Sequence, residues 1–263
     1  MPTVAIAGLG LIGGSLARAL RSRGWRVIGV DRPDVMRRAK AARALSEAAP
    51  SLERAVEADL VVLAAYPRTN LVLLRLLARL ARPGLTITDV SSVKARICRE
   101  AQRLRLPGFV GGHPMAGSER SGFEASSPAL FRGRPWILTP AGSAAGSVAR
   151  VRRMVRAAGA RPTVMSPEEH DRVVAFLSHL PQLAAWALRD AALADEVASR
   201  HLALAGPAFA DMTRLARSPV ELWRKILTEN RQNVERALRA FKAALAPLPG
   251  DRRGIIATGD RER

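Results

Sequence analysis

The chain has 263 residues, 48% of them hydrophobic, and carries a formal net charge of +19. That length buries a sizeable core and suits one large or two modest domains, while a single cysteine, Cys98, excludes a disulfide framework and a multi-cysteine metal site. No apolar run reaches the ~20 residues of a membrane span. The positive charge comes mostly from arginines spread along the chain, with lysine only at 40, 94, 225 and 242, and Tyr66 is the only tyrosine. Scattered charge with few rings to stack on bases argues against a nucleic-acid partner. It suits the attraction of small anionic substrates. The N-terminal apolar stretch lacks a basic region ahead of it and breaks at Gly8, so it reads as a strand and not as a signal peptide. A cytoplasmic protein without a membrane partner or a metal site is expected.

The first predicted strand, 3–7, runs into Gly8-Leu9-Gly10-Leu11-Ile12-Gly13, and Asp31 stands eighteen residues after Gly13. Each residue type answers a geometric demand of dinucleotide binding. Gly8 permits the tight strand-to-helix turn, Gly10 lets backbone amides approach a pyrophosphate, and Gly13 lets the helix opening near Leu11 pack on the strand. The positive end of that helix faces the phosphates. A second strand, 26–30, ends at Asp31, whose carboxylate accepts hydrogen bonds from an adenosine ribose and repels a 2′-phosphate. Gly8, Gly10, Leu11, Ile12, Gly13 and Asp31 are therefore the expected cofactor-binding set, with NAD favoured over NADP. Arg32 is discordant, because an arginine there is suited to a 2′-phosphate.

Further strands are expected at 59–65, 85–89, 108–111, 135–139 and 161–165, with helical patterns at about 34–45, 68–81 and 93–104 between the early ones. Strands alternating with helices indicate a parallel, doubly wound α/β sheet of the Rossmann type. From Ser166 the β signals stop. Long apolar-periodic stretches at 167–200, 206–217 and 219–246 indicate an all-α C-terminal domain, opened by Ser166, Pro167, Glu168 and Glu169 as a helix start. The expected division is 1–165, then 166–246, then a loose tail over 247–263 with no appended regulatory domain.

Two polar clusters follow strand ends: Thr88-Asp89-Val90-Ser91-Ser92-Val93-Lys94 and Gly111-Gly112-His113-Pro114-Met115-Ala116-Gly117-Ser118. Ligands of such sheets sit beyond the carboxyl ends of the strands. A histidine there is placed near a nicotinamide ring, and histidine is the usual general base near neutral pH. On the helix from Pro167, Asp171, Ala175, Ser178 and Gln182 fall on one narrow lane at 100° per residue. Val173, Phe176, Leu177, Leu180 and Leu183 cover the opposite side as the main apolar face. The polar lane could line a cleft or face solvent. His179 lies ~80° off it, as a structural partner of the wall, and Pro181 is expected to kink the helix.

GGHPMAGSERSGFEAS followed by LFRGRPWILTP resembles the signature segment of the prephenate/arogenate dehydrogenase family of tyrosine biosynthesis. The likeness continues colinearly through His170-Asp171, Ser178-His179-Leu180-Pro181, Asp211-Met212-Thr213-Arg214-Leu215-Ala216, Trp223-Arg224 and Glu229-Asn230, covering roughly residues 3–243. It implies oxidative decarboxylation of a cyclohexadienol, with NAD taking a hydride and carbon dioxide leaving as the ring becomes aromatic. By matching position His113 is the base and Ser92 binds the same hydroxyl and orients His113. Arg214 holds a substrate carboxylate, to which a guanidinium fork is well suited; Ser118, Ser178, Gln182 and Trp223 complete the implied substrate-binding set. Many relatives selective for prephenate have histidine in place of Gln182, which leaves prephenate against arogenate open. The family also pairs through its helical domains, so a homodimer is expected. Two other readings stand beside this one: a β-hydroxyacid dehydrogenase or pyrroline-carboxylate reductase relative, and a non-catalytic NAD-binding sensor or basic nucleic-acid partner.

Overall fold

The computed structural model describes residues 1–118 and 120–245; the tail expected over 247–263 lies outside them. Eight strands form one sheet: β1 (Thr3–Ala7), β2 (Arg26–Val30), β3 (Glu47–Ala48), β4 (Leu60–Leu63), β5 (Thr86–Asp89), β6 (Phe109–Pro114), β7 (Pro135–Thr139) and β8 (Arg161–Val164). Their order is β3-β2-β1-β4-β5-β6-β7-β8, so the chain reverses direction across the sheet between β1 and β4. That switch point is where ligands of doubly wound sheets sit. Neighbours pair in parallel except β6 with β7, which run antiparallel with His113 opposite Ile137. The sheet is thus doubly wound and mostly parallel, as expected, with this one antiparallel pair. The cause of that pair is connectivity, since among the described residues no crossover helix lies between β6 and β7.

The strands read as continuous apolar runs because both faces are covered. Along β1, Val4 and Ile6 join one buried cluster with Leu16 and Leu20 of α1 (Leu11–Arg21). Ala5 and Ala7 join the other, with Leu52 of α3 (Leu52–Ala55) and Leu71, Leu74 and Leu77 of α4 (Pro67–Leu80), while α2 (Pro33–Ala41) adds Val35 and Ala39 to the first. α5 (Ala95–Arg103) adds Ile97 to that second face. Three elements were not anticipated, the four-residue α3 among them. β3 is only two residues long, and α6 (Ala145–Ala157) buries Val151, Met154 and Val155 behind an arginine-rich outer face that masks its period.

Packing divides the chain inside α7 (Pro167–Val174). Among the described residues, one compact unit comprises Met1–Arg172 and Arg217–Glu229, and the other comprises Val173–Ala216 and 230–245. The first unit therefore includes α11 (Val220–Glu229). The second holds α8 (Leu180–Ala194), α9 (Glu196–Arg200), α10 (Pro207–Thr213) and α12 (Arg231–Leu245).

The continuous helix expected over 167–200 is interrupted. Ala175–His179 form a π-turn, and α8 stops at Ala194, where Asp195 caps α9 by accepting N–H bonds from Val197 and Ala198 at 3.1 and 2.7 Å. Pro181 has no N–H to close an α-turn on Leu177, which favours the wider winding ahead of it. The lane that the sequence left open between cleft and solvent is covered. Asp171, Ala175 and Gln182 are buried and Ser178 is half-buried, whereas Leu177 is 73% exposed. The polar lane can be covered because its groups are bonded: Asp171 accepts backbone N–H bonds from Lys94 and Ala95, and Gln182 Nε2 donates to Leu215 O at 2.8 Å. Among the described residues, no helix is long and apolar enough to cross a membrane.

Candidate active site

The glycine-rich turn is shaped by what its glycines lack. Gly8 has φ +101°, and a Cβ there would lie 2.6 Å from the Ala64 backbone; a Cβ on Gly13 would lie 1.9 Å from Gly8 O. Strand, turn and helix approach too closely for any side chain at either position. Gly10 faces open space, with nothing within 4 Å of its Cβ position. It caps α1 without a side-chain hydrogen bond, and no acidic residue stands in the first turn. The N–H groups of Leu11 and Ile12 at that helix start are thus suited to a phosphate anion, and the cradle fits a dinucleotide. Asp31, at the end of β2, accepts N–H bonds from Leu9 at 2.6 Å and Arg32 at 2.7 Å. The carboxylate is tied to the phosphate-binding turn itself. The Arg32 side chain reaches Asp34 at 3.7 Å. The loop after β6 is docked on α1: Ser127 N–H donates to Ser15 Oγ at 2.9 Å, and the Arg18 guanidinium lies 4.6 Å over the Phe123 ring.

Beyond β5 and β6 a second set of polar groups is buried. The two strands pair in parallel with Thr88 opposite Val110, so the segments holding Ser92 and His113 leave the same edge. Lys94 and Asp89 are fully buried and paired at 2.5 Å. Lys94 Nζ also donates to Gly112 O at 2.7 Å, while Asp89 accepts N–H bonds from Ser91 and Gly112. This knot of bonds locks the Ser91-Ser92 loop to the strand that carries His113. Three buried groups then run in line. His113 Nδ1 lies 2.8 Å from His170 Nε2, and His170 Nδ1 lies 2.8 Å from Asp171 Oδ1. Asp171 is itself anchored by the N–H groups of Lys94 at 2.7 Å and Ala95 at 2.9 Å. Burial holds the His170 imidazole below the usual histidine range; the bond to Asp171 opposes this, Lys94 adds to it, and Asp89 opposes it. Next to this cluster Cys98 lies 3.3 Å from Thr139 Oγ1, and burial pushes its thiol up to about 11, leaving it unreactive.

The other expected site residues fall in both units. Ser118 is exposed on the loop after β6, where its Oγ accepts an N–H bond from Arg120 at 3.2 Å. Trp223 is half-buried on α11 of the first unit. Ser178, Gln182 and Arg214 belong to the second unit. Gln182 is buried with its Oε1 unbonded, and Arg214 is exposed at the start of a 3₁₀ turn. His179 is buried against the Asn230 side chain at 3.2 Å. Glu229 pairs instead with Arg96 at 3.2 Å, while burial raises its carboxyl above the usual range. Sequence reasoning assigned no role to Lys94, His170 or Asp171. One signal was present for Lys94, a rare lysine in an arginine-rich chain five residues after a strand-terminal aspartate.

Known proteins resemble this chain over nearly its whole length. A family model described as the nucleotide-binding domain of prephenate dehydrogenase covers residues 16–164, and one described as the prephenate dehydrogenase dimerization domain covers 166–262. A prephenate dehydrogenase of Bacillus subtilis is 37% identical over 244 residues, which span 88% of this chain and 65% of that protein. The crystal structure of Synechocystis arogenate dehydrogenase superposes with a TM-score of 0.82 at 31% identity, covering 92% of this chain and 89% of that one. Prephenate dehydrogenase from Aquifex aeolicus, solved in complex with hydroxyphenyl propionate and NAD+, gives a TM-score of 0.81 at 32% identity, covering 93% and 88%. With both family models matched in order over nearly the whole chain, the protein belongs to the prephenate dehydrogenase family.

Proposed function

We propose that this protein is an NAD-dependent dehydrogenase of tyrosine biosynthesis that oxidatively decarboxylates prephenate, arogenate or both. The observation that carries the reading is His113, buried at the carboxyl edge of the sheet one strand from the Ser92 loop and bonded to a second histidine. NAD, when bound in the cradle of Gly8, Gly10, Leu11, Ile12 and Gly13 with Asp31 at the ribose, supplies the hydride acceptor. His113 accepts the hydroxyl proton of the substrate as the ring carbon loses its hydride. It returns that proton to the same oxygen once the ring carboxylate has left as carbon dioxide and its electron pair has aromatised the ring. Ser92 bonds the same hydroxyl. Arg214 holds a substrate carboxylate, with Ser118, Ser178, Gln182 and Trp223 around the rest of the molecule. Because aromatisation makes the step strongly downhill, the protein's task is orientation and the management of one proton.

The same proposal includes a homodimer formed through the helical unit and a cytoplasmic location. Leu177 and Leu204 are 73% and 81% exposed in the single chain, and Leu193, Val197 and Met212 are exposed with them. Apolar positions left open in this number suit a second copy.

The test is NAD reduction, followed by absorbance, with prephenate and with arogenate side by side. Turnover with at least one is expected, and no turnover with either refutes the activity.

A further inference from the structure

We propose that His170 and Asp171 are positioning residues that set the tautomer of His113 and take up the positive charge it acquires in turnover. The inference rests on the reading of His113 as the base.

Donors and acceptors along the line fix where each hydrogen sits. Asp171 Oδ1 already accepts the Lys94 N–H and Oδ2 accepts that of Ala95, so the carboxylate meets His170 Nδ1 as an acceptor. His170 Nδ1 is then the protonated nitrogen of that ring. In the neutral ring its Nε2 carries a lone pair, and this lone pair faces His113 Nδ1 at 2.8 Å. His113 Nδ1 must in turn carry the hydrogen, which leaves Nε2 of His113 unprotonated and basic. A single anchored carboxylate thus decides, through two rings, which nitrogen of His113 receives a proton. Asp171 owes its own orientation to backbone N–H groups, which cannot change partners without unwinding the start of α5.

The same line conducts charge. As the substrate O–H bond breaks, His113 Nε2 gains the proton and the Nδ1–H of His113 passes to Nε2 of His170. His113 ends neutral, and His170 becomes the cation, with its Nδ1–H against the Asp171 carboxylate. The reverse transfer restores both rings when the proton returns to the product oxygen. The charged groups that bear on His170 are Asp171 from α7 and Lys94 and Asp89 from the β5–α5 region, and His113 adjoins it from β6. Burial and Lys94 keep the resting ring neutral near pH 7, which leaves it able to accept.

Asp171→Asn is the decisive variant. Its amide can present an N–H to His170 Nδ1, which reverses both tautomers and places a hydrogen on Nε2 of His113. A fall in kcat of about 10³- to 10⁴-fold is expected, the scale seen when a histidine base is held in the wrong tautomer. The acid limb of the kcat profile should move to lower pH, because the group that favoured the cation is lost. NAD affinity, read by tryptophan fluorescence, should stay within about 2-fold. His170→Gln retains an acceptor for His113 Nδ1 and should cost less, about 10- to 100-fold, the range for losing a hydrogen bond to a charged group. An unmoved acid limb, or His170→Gln falling as far as Asp171→Asn, overturns the proposal.

A measurement on the unaltered protein serves if Asp171→Asn does not fold. Imidazole ¹⁵N spectra, with only four histidines to assign, should show His113 protonated at Nδ1, and a proton on Nε2 instead overturns the tautomer argument. Substituting His113 separates the two levels. If His113→Asn keeps turnover, the base is misassigned; if it loses turnover while Asp171→Asn keeps it, only the relay fails.

Discussion

Asp31 and Lys94 show how much chemistry a single side chain carries here. The Asp31 carboxylate is held by two backbone N–H groups beside the cofactor turn, so it cannot swing away from an added phosphate. Asp31→Ser should therefore narrow the preference for NAD over NADP by removing that repulsion while Arg32 remains. Equal kcat/KM of the wild type for the two cofactors would show that Arg32 governs the pocket. At Lys94 the stakes are structural. The ammonium is fully buried and neutralises Asp89 at 2.5 Å, and removing one partner of a buried pair strands the other. Lys94→Ala is expected to lower stability by about 3–5 kcal/mol, read as a lower urea midpoint with an unchanged m-value. Asp31 was legible in the sequence because its spacing follows from a local βαβ unit. The His113–His170–Asp171 line was not, because residues 57 apart meet only when the sheet brings α7 against β6.

Among the elements, β3 depends on charge more than on pairing length. Glu47 receives Arg26 of β2 at 2.8 Å and Arg54 of α3 at 2.6 Å. Hydrogen bonds from Arg54 and then Arg26 hold its carboxyl down to about 2, and Arg103 and Arg75 do the same for Glu100 on α5. A folded-state value below the unfolded one means that the stabilisation is complete above the unfolded carboxylate range. It is lost as pH falls from about 4.5 towards 2. Glu47→Gln should flatten the acid arm of the stability–pH curve in that window and leave stability nearly independent of Glu47 below it; an unchanged slope would contradict the clamp. The helical periods of α1, α4 and α5 were legible because one apolar stripe meets one sheet face. α6 escaped notice behind its arginines, and the π-turn at Ala175–His179 cannot be read from a period that assumes regular winding.

For the molecule as a whole, the open apolar positions of the helical unit lead to a mass prediction. Light scattering at micromolar concentration should give twice the chain mass, and a monomer mass would remove the homodimer. Leu204→Glu combined with Leu177→Glu should shift the particle towards monomer, since charges at a buried apolar contact oppose association. On the helix from Pro167 the sequence left open whether the polar lane is covered. Periodicity reports that two faces differ, but not which one the rest of the chain covers.

By itself the sequence determined the α/β class, the start and register of the cofactor-binding turn, the helical second half and the family resemblance. These rest on short-range spacing, on glycines at fixed offsets and on motifs read in order. Only the tertiary structure decided that β7 runs antiparallel, that the polar lane is the covered one, and that His170 and Asp171 stand behind His113. The strand direction follows from the connection after β6, and the other two share one physical reason. A chain distant from itself in sequence can satisfy a buried carboxylate or imidazole as well as solvent can, and that partner is known only once the fold has brought it within hydrogen-bond reach.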